Sequence, residues 1–232
     1  TLSSSSAASD VYKRQLERRL GRVGVIGAGF GGATAARYLK HWGGSRLDVV
    51  LIERNPQFVS CPLSNLVLGG TRRIEDLTMG YQGLRDAGVT VLVDEVTQID
   101  PIKKVVSLVK IADQTFDRLV VAPGVDFQFD QIQGLNAEAQ KTVLHAWKAG
   151  PQTVALRNRI ESMPPGGVFV LSIPRAPYRC PPGPYERVCQ VAYALKTNNP
   201  TAKIIVLDAN EDIQSKKGCL LYTSDAADEE DS

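Results

Sequence analysis

The hydrophobic pattern of the first third of the chain predicts a strand, a helix and a second strand in direct succession. Arg22 to Ile26 is a short apolar run of the kind found in buried parallel strands. The stretch from Ala33 to Lys40 is rich in alanine and predicts a helix. Asp48 to Ile52 is a second apolar run, which ends at Glu53. This order is typical of a βαβ unit.

The same pattern returns near the end of the chain. Gly167 to Ile173 and Lys203 to Asp208 predict strands, and the residues between them, from Tyr185 to Lys196, carry apolar side chains at helical spacing. Between the two units, Val91 to Val93 and Val105 to Val109 predict a β-hairpin, and Phe116 to Gly124 predicts a strand closed by a Pro-Gly turn. The pattern therefore predicts an α/β protein with two Rossmann-like units.

The first unit carries a dinucleotide fingerprint between its strand and its helix. Gly27 permits the tight turn, Gly29 lets the backbone approach a pyrophosphate, and Gly32 lets the helix pack closely on the strand. The start of the helix offers free N–H groups to the phosphates. Glu53 follows Gly32 at the distance where an acid meets a ribose hydroxyl. We assign Arg54, Val96, Pro123 and Gly124 to the same cofactor site.

The two ends of the chain do not continue this pattern. Residues 5–15 and 219–229 match translations of the two opposite strands of a common sequencing adapter. We therefore expect non-native tails at 1–15 and 219–232, and an internal piece of a longer protein between them. Without the tails the net charge of +2 becomes +6, from 25 basic and 19 acidic residues.

That charge is dispersed. No run of basic residues supports nucleic-acid binding, and no apolar run is long enough to span a membrane. Neither a haem-attachment motif nor zinc-like ligand spacing occurs, so no metal site is predicted.

The loop of the second unit differs from the first in a way that bears on the cofactor. It contains several prolines and no glycine triplet, so it lacks the N–H donors and the close backbone approach that a pyrophosphate needs. We therefore expect no nicotinamide cofactor there. The order of the whole chain resembles the flavoproteins with two dinucleotide-binding domains, and this resemblance favours FAD at the first fingerprint.

Three segments resemble a more specific family, the flavoprotein subunit of flavocytochrome c sulfide dehydrogenase: RCPPGPYER, CPLSNLVLGG and LHAWKAG. The resemblance implies a Rossmann-like FAD-binding domain at 16–150 and an incomplete second Rossmann-like domain at 151–218. It implies that Cys61 attaches FAD covalently, although Pro62 departs from the family pattern. It further implies that Cys180 contributes one sulfur of a redox disulfide whose partner lies beyond this chain.

The resemblance also implies the reaction. Sulfide would be oxidised at the disulfide, and electrons would pass through FAD to a c-type cytochrome subunit in the periplasm. The chain by itself is expected to be inactive and to carry little flavin. Two alternatives stay open: an enzyme resembling sulfide:quinone oxidoreductase, and a non-catalytic flavin-binding module. Cys189 is expected in the core, and His145 and Trp147 lie either near a cofactor or in a packed turn.

Overall fold

The computed structural model describes residues 19–213, which form parts of two compact units. The first unit takes in residues up to 58 and residues 78–131, and the second takes in 59–77 and the residues from 132 onward. Both predicted tails, 1–15 and 219–232, lie outside the described residues.

The first unit is built on a parallel sheet of four strands. Its spatial order is β5–β2–β1–β9, and the strands are β1 (Gly21–Ile26), β2 (Leu47–Glu53), β5 (Thr90–Val93) and β9 (Arg118–Val121). Helix α1 (Phe30–Gly43) connects β1 to β2, and a short helix α3 (Gln82–Asp86) precedes β5. This confirms the predicted Rossmann-like fold.

Both faces of this sheet are covered, as parallel sheets require. On one face Val25, Val49 and Leu51 pack in a core that includes Ala36 of α1. On the other face Val50 and Ile52 pack with Val106 and Phe116. Every residue from Val49 to Ile52 is therefore buried, which explains why β2 is a continuous apolar run and does not alternate.

A three-stranded antiparallel sheet supplies that second cover. It consists of β6 (Val96–Asp100), β7 (Val105–Leu108) and β8 (Gln114–Thr115). The hairpin predicted from Val91 to Val93 with Val105 to Val109 is thus wrong in its first arm. Val91 to Val93 pair in parallel with β2, and the arm that pairs with β7 is β6. Local alternation could not distinguish the two, because Thr90 to Val93 form a short apolar run like the edge of either sheet.

The second unit contains the second predicted βαβ element. Strands β10 (Val168–Ile173) and β11 (Lys203–Asp208) pair in parallel, and α5 (Gly183–Asn198) connects them. Helices α2 (Ser64–Gly69) and α4 (Pro151–Glu161) belong to the same unit. The core joins Leu68 of α2, Ile160 of α4, Val191 of α5 and the inward face of β10. Two short strands, β3 (Phe58–Val59) and β4 (Thr78–Met79), pair with each other, and β4 belongs to the first unit.

One prediction for this unit is wrong. Cys189 lies on α5 among apolar residues, but its side chain is exposed. The buried positions of α5 include Arg187, Val191 and Leu195, and Cys189 lies outside this buried face of the helix.

Candidate functional site

The three fingerprint glycines lie where β1 meets α1, and each has a different geometric reason. A Cβ on Gly32 would overlap the carbonyl oxygen of Gly27, and a Cβ on Gly27 would overlap the carbonyl oxygen of Ala122. Gly27 also has a positive φ of 91°. Gly29 differs from both, because a Cβ there would meet nothing within 4 Å. Two glycines therefore serve the packing of the chain itself, and Gly29 borders open space.

Gly29 is also the N-cap residue of α1, and its carbonyl accepts the first helical hydrogen bond from Ala33 at 2.9 Å. The open space next to it therefore lies at the start of a helix of 14 residues. Backbone N–H groups of a first helical turn have no intrahelical acceptor and attract anions. This geometry fits a pyrophosphate.

Glu53 lies at the carboxyl end of β2, next to the fingerprint. Its Oε2 accepts a hydrogen bond from the backbone N–H of Ala28 at 2.8 Å. Its Oε1 accepts two from Asn55, one from the backbone and one from the side chain, each at 2.9 Å. The carboxylate thereby ties the glycine turn to the end of β2, and it stays half-buried at this edge. This position fits the predicted role toward a ribose.

Most of the other predicted cofactor residues lie at the same edge of the sheet. Arg54 follows Glu53 directly and is exposed. The Glu53 carbonyl accepts a hydrogen bond from Asp94 N at 3.0 Å, which places the segment leading into Val96 beside the end of β2. Carboxyl ends of parallel strands meet at one edge, which is where open α/β sheets bind ligands.

Pro123 and Gly124 reach this edge from the other side. Ala122 N donates to the Ile26 carbonyl at 2.8 Å, so the chain leaves β9 alongside the end of β1. The Cα of Pro123 would lie 3.3 Å from a Cβ on Gly27. Gly124 has a φ of 80° and turns the chain away. Seven of the eight residues assigned to the cofactor in the first unit thus lie at or beside one edge, and they fit a dinucleotide. Val96 packs against the core on one face of the sheet.

The two cysteines assigned to the reaction lie in the second unit, and both are exposed. The Sγ of Cys61 accepts a hydrogen bond from Ala149 N at 3.4 Å and donates to the Trp147 carbonyl at 3.9 Å. Cys180 adopts a φ of 59°, a left-handed conformation that is unusual for a residue with a Cβ. Its carbonyl accepts from Gly183 N at 2.9 Å, which joins it to the start of α5.

The loop that carries Cys180 is fastened at its beginning by the residues after β11. Asn210 donates to the Pro174 carbonyl at 3.0 Å and accepts from Ala176 N at 2.8 Å. Asp208 accepts from Asn210 at 2.7 Å and from the Tyr185 hydroxyl at 2.7 Å, and these two hydrogen bonds lower the pKa of Asp208. Asp208 ends β11, where a nucleotide-binding unit would offer an acid to a ribose. Here its carboxylate is bonded within the protein.

Sequence reasoning missed the most buried charge of the described residues. Arg187 on α5 is only 1% exposed, and burial lowers its pKa to about 10 against the opposing effect of the neighbouring Glu186. Its guanidinium lies over the ring of Trp147, with Cζ 3.6 Å from the ring centroid. It donates to Asn65 Oδ1 at 3.0 Å. One signal was available: an arginine at a position of α5 where the helical period calls for an apolar residue.

His145 and Trp147 form the packed turn that was one of their two predicted roles. The carbonyl oxygens of His145 and Ala146 accept hydrogen bonds from Arg187. The Nδ1 of His145 accepts from Trp147 N at 3.1 Å. Burial, followed by the positive charges of Arg187 and Lys148, lowers the pKa of His145. This histidine is therefore neutral near pH 7.

Two features are absent from residues 19–213. No group of three or more His, Cys, Asp or Glu side chains there could hold a metal ion. No helix in that range is both long enough and apolar enough to cross a bilayer.

Comparison with known proteins gives two adjoining family matches. Residues 21–157 match the pyridine nucleotide-disulphide oxidoreductase family. Residues 153–225 match the central region of the flavoprotein chain of sulfide dehydrogenase (flavocytochrome c). The flavoprotein chain of that enzyme from Chlorobaculum thiosulfatiphilum is 50% identical over 46 residues, which is 20% of this chain and 94% of the relative. These matches confirm the predicted resemblance and support FAD as the cofactor.

A second kind of relative also matches. The mitochondrial sulfide:quinone oxidoreductase of Dictyostelium discoideum is 26% identical over 188 residues, 80% of this chain and 41% of the relative. The crystal structure of the sulfide:quinone oxidoreductase from Aquifex aeolicus superposes with a TM-score of 0.61 at 25% identity, covering 80% of this chain and 43% of that one. The chain thus spans about two fifths of the length of these two relatives.

Proposed function

The chain belongs to the pyridine nucleotide-disulphide oxidoreductase family, and from this premise we propose that it is part of an FAD-dependent enzyme that oxidises sulfide. The observation that carries the proposal is the order of the two family matches. A dinucleotide-binding match is followed along the chain by a sulfide dehydrogenase match, which contains Cys180. The relatives that match the chain are named for sulfide oxidation with two different acceptors.

The first unit supplies the binding of FAD in this proposal. The start of α1 beside Gly29 takes the pyrophosphate, and Glu53 faces the ribose. Bound FAD would supply a two-electron acceptor for the sulfur chemistry of the second unit. The protein's task is to hold and orient it, and the glycine turn does so with backbone atoms that Glu53 fastens to β2.

The second unit supplies Cys180, which we propose contributes one sulfur of a redox disulfide. Hydrosulfide attacks one sulfur of that disulfide, a new S–S bond forms, and the other cysteine leaves as a thiolate. One persulfide and one thiolate replace one disulfide and one hydrosulfide, so atoms and electrons balance. The fastened loop and the left-handed backbone hold Cys180 in one place for this attack.

We propose a c-type cytochrome as the electron acceptor and the periplasm as the compartment. Support comes from the sulfide dehydrogenase match over residues 153–225 and from the 50% identical relative. We also propose Cys61 as the site of covalent FAD attachment, because it occupies the family's cysteine position ahead of Ser64 and Asn65.

A quinone acceptor is the second candidate. Its support is that the sulfide:quinone oxidoreductase relatives align with 80% of this chain. Electron transfer from sulfide to horse-heart cytochrome c and to a water-soluble quinone should be compared in the protein encoded by the complete reading frame. We expect reduction of cytochrome c. Reduction of quinone alone would favour the second candidate.

The sulfide step is tested with two cysteine variants of the same protein. We expect sulfide to bleach the flavin absorbance of the wild type and of Cys189→Ser but not of Cys180→Ser. Cys189 is the matched control, because it is also exposed and belongs to the same unit. Equal bleaching in Cys180→Ser would contradict the role of Cys180. Bleaching in none of the three would favour a non-catalytic flavin-binding module. Flavin that stays with acid-precipitated wild type but not with Cys61→Ser would support covalent attachment.

A further inference from the structure

Arg187 is a buried cation whose described hydrogen bonds go to neutral atoms. Its acceptors are the amide oxygen of Asn65 and the backbone carbonyls of His145 and Ala146, and its flat face is covered by the ring of Trp147. Burial of a guanidinium costs free energy unless its N–H groups are bonded. A methionine or leucine would pack this helix face without that cost. The arginine is therefore best explained by the backbone segment that its guanidinium binds.

What it holds is the segment 145–149, which we call the Trp147 strap. Two carbonyls of the strap bind the guanidinium, and the Trp147 ring stacks on it. Ala146 within the strap has a φ of 48°, a left-handed conformation that is unfavourable for alanine. A strained residue keeps such a backbone only where its surroundings impose it. Two bonds hold the backbone of Ala146 here: its carbonyl accepts from Arg187 at 2.8 Å, and its N–H donates to Gln152 Oε1 at 3.0 Å.

The Trp147 strap contacts Cys61 directly. The Cys61 sulfur is bonded to the N–H of Ala149 and to the carbonyl of Trp147. The sulfur lone pair that would attack an electrophile is thus engaged by the strap. Release of the strap would free that lone pair, although Cys61 itself is exposed.

The strap also adjoins Cys180, across Gly183. A Cβ on Gly183 would lie 3.1 Å from the Cys180 sulfur and 3.1 Å from Cζ3 of Trp147. The glycine therefore allows the sulfur and the ring to approach the same point from two sides. An alanine there would have to displace one or both of them.

Asn65 connects Arg187 to the helix that follows Cys61. Its amide oxygen accepts from Arg187 at 3.0 Å, and its amide nitrogen donates to Glu186 at 2.8 Å. Asn65 belongs to α2, and Glu186 and Arg187 belong to α5. One buried side chain thus links the helix after Cys61 with the helix after Cys180.

We propose that Arg187 is a positioning residue that, through the Trp147 strap and Asn65, holds Cys61 and Cys180 in place and sets their reactivity. The proposal rests on the proposed function only in treating these two cysteines as the working ones. It concerns contacts inside the second unit, so it can be tested on the 232-residue chain without cofactor or substrate.

The experiment compares Arg187→Lys with Arg157→Lys. Lysine keeps the positive charge of Arg187 but cannot reach all of its acceptors with one nitrogen. Arg157 is the matched control, because it also donates to a backbone carbonyl of the second unit, that of Leu68 at 2.8 Å, and no contact with the strap is among its described bonds. The alkylation rate of each cysteine by iodoacetamide is followed by peptide mass spectrometry, with Cys189 as the internal reference.

We expect Arg187→Lys to raise the rate of Cys61 relative to Cys189 by about fivefold or more, because the strap opens locally. Arg157→Lys should change that ratio by less than about twofold. An unchanged ratio in a folded Arg187→Lys chain overturns the proposal. A failure of the chain to bind FAD would leave this result intact, so the two hypotheses fail separately.

A second variant covers the case in which Arg187→Lys does not fold. Gly183→Ala acts on the arrangement from the Cys180 side, in a chain that also carries Trp42→Phe and therefore has Trp147 as its one tryptophan. We expect the alkylation rate of Cys180 and the quenching of Trp147 fluorescence by acrylamide to change together. If Gly183→Ala folds and alters neither, Trp147 and Cys180 are not coupled, and the proposal is wrong.

Discussion

Substitution of Gly29 by alanine separates cofactor binding from folding. The backbone of Gly29 has φ −71° and ψ −170°, an extended conformation that alanine adopts without strain. The added methyl group meets no atom within 4 Å. Alanine is a poorer N-cap than glycine by about 0.5 kcal/mol, and the stiffer unfolded chain offsets a similar amount. The free energy of unfolding should therefore stay within about 0.5 kcal/mol of wild type.

The effect on FAD should be much larger. The methyl group occupies the open space at the start of α1, which we assign to the pyrophosphate. Loss of one hydrogen bond to a charged phosphate costs about 1.5–3 kcal/mol. At about 1.4 kcal/mol for each tenfold change, the dissociation constant for FAD should rise by about tenfold to about a hundredfold.

Gly32→Ala should instead lower the free energy of unfolding. Its Cβ would overlap the Gly27 carbonyl oxygen, and neither atom can swing away because both belong to the backbone. Overpacking costs about 1–3 kcal/mol, and an overlap between two backbone positions belongs at the upper end of that range. Gly83→Ala is the matched control, because Gly83 lies in α3 and its Cβ would also meet nothing within 4 Å. It should leave FAD binding unchanged and should raise the free energy of unfolding by no more than about 1 kcal/mol.

The assay uses the protein encoded by the complete reading frame, with Cys61→Ser in every variant to exclude covalent attachment. Each variant is titrated with FAD, followed by the loss of flavin fluorescence, alongside thermal unfolding followed by circular dichroism. If Gly29→Ala folds normally and binds FAD within about twofold of wild type, the pyrophosphate does not lie at Gly29. If Gly32→Ala is as stable as Gly83→Ala, the reasoning from close helix–strand packing is refuted.

Three further substitutions test separate hydrogen-bond networks. Glu53→Gln puts an amide N–H against an existing donor such as the N–H of Ala28, so it should lower the free energy of unfolding by about 1–3 kcal/mol, measured in urea without cofactor. Three backbone N–H groups lower the pKa of Asp94 despite its burial, so its stabilising contribution is present near neutral pH and is lost as the pH falls below the ordinary value. Asp94→Asn should therefore lower the melting temperature at about pH 7, and its difference from wild type should shrink as the pH falls below the ordinary carboxyl pKa; a difference that stays constant with pH would contradict this. Asn210→Ala releases both of its contacts to the loop 174–181, so limited proteolysis should cut that loop faster than in wild type, and equal rates would show that Asn210 does not fasten it.

The sheet edge where the candidate cofactor residues lie was predictable from sequence, because those residues follow one another closely along the chain. The spacing of Gly27, Gly29 and Gly32 is fixed by one turn and one helix start, and Glu53 ends the very next strand. The predicted boundaries of these two strands and of the helix between them differ from the structure by at most three residues. The prediction of the first hairpin arm was wrong because tertiary packing determines which strands pair. Val91 to Val93 complete a parallel sheet whose other strands lie far away in sequence.

The network around the cysteines could not be predicted from local pattern, because it joins residues more than 40 positions apart. Family resemblance marked Cys61, Ser64 and Asn65 together without a reason for the asparagine. The structure supplies one: both ends of the Asn65 amide are bonded to consecutive residues of α5. A motif residue four positions after a cysteine can thus serve to tie two helices together.

The two βαβ elements show how the same element order can serve opposite purposes. In the first, an acid at the end of the second strand, Glu53, fastens a glycine turn whose outer side stays open. In the second, the acid in the matching position, Asp208, is bonded to Tyr185 and Asn210, and Asn210 fastens a proline-rich loop. The carboxylates of Glu53 and Asp208 are both bonded within the protein, so the difference between the two elements lies in the turn. A nucleotide would find few N–H donors in the proline-rich loop. The second element therefore has the framework of a nucleotide site but uses it to hold a cysteine, which explains why its sequence keeps the strands and the helix and lacks the glycines.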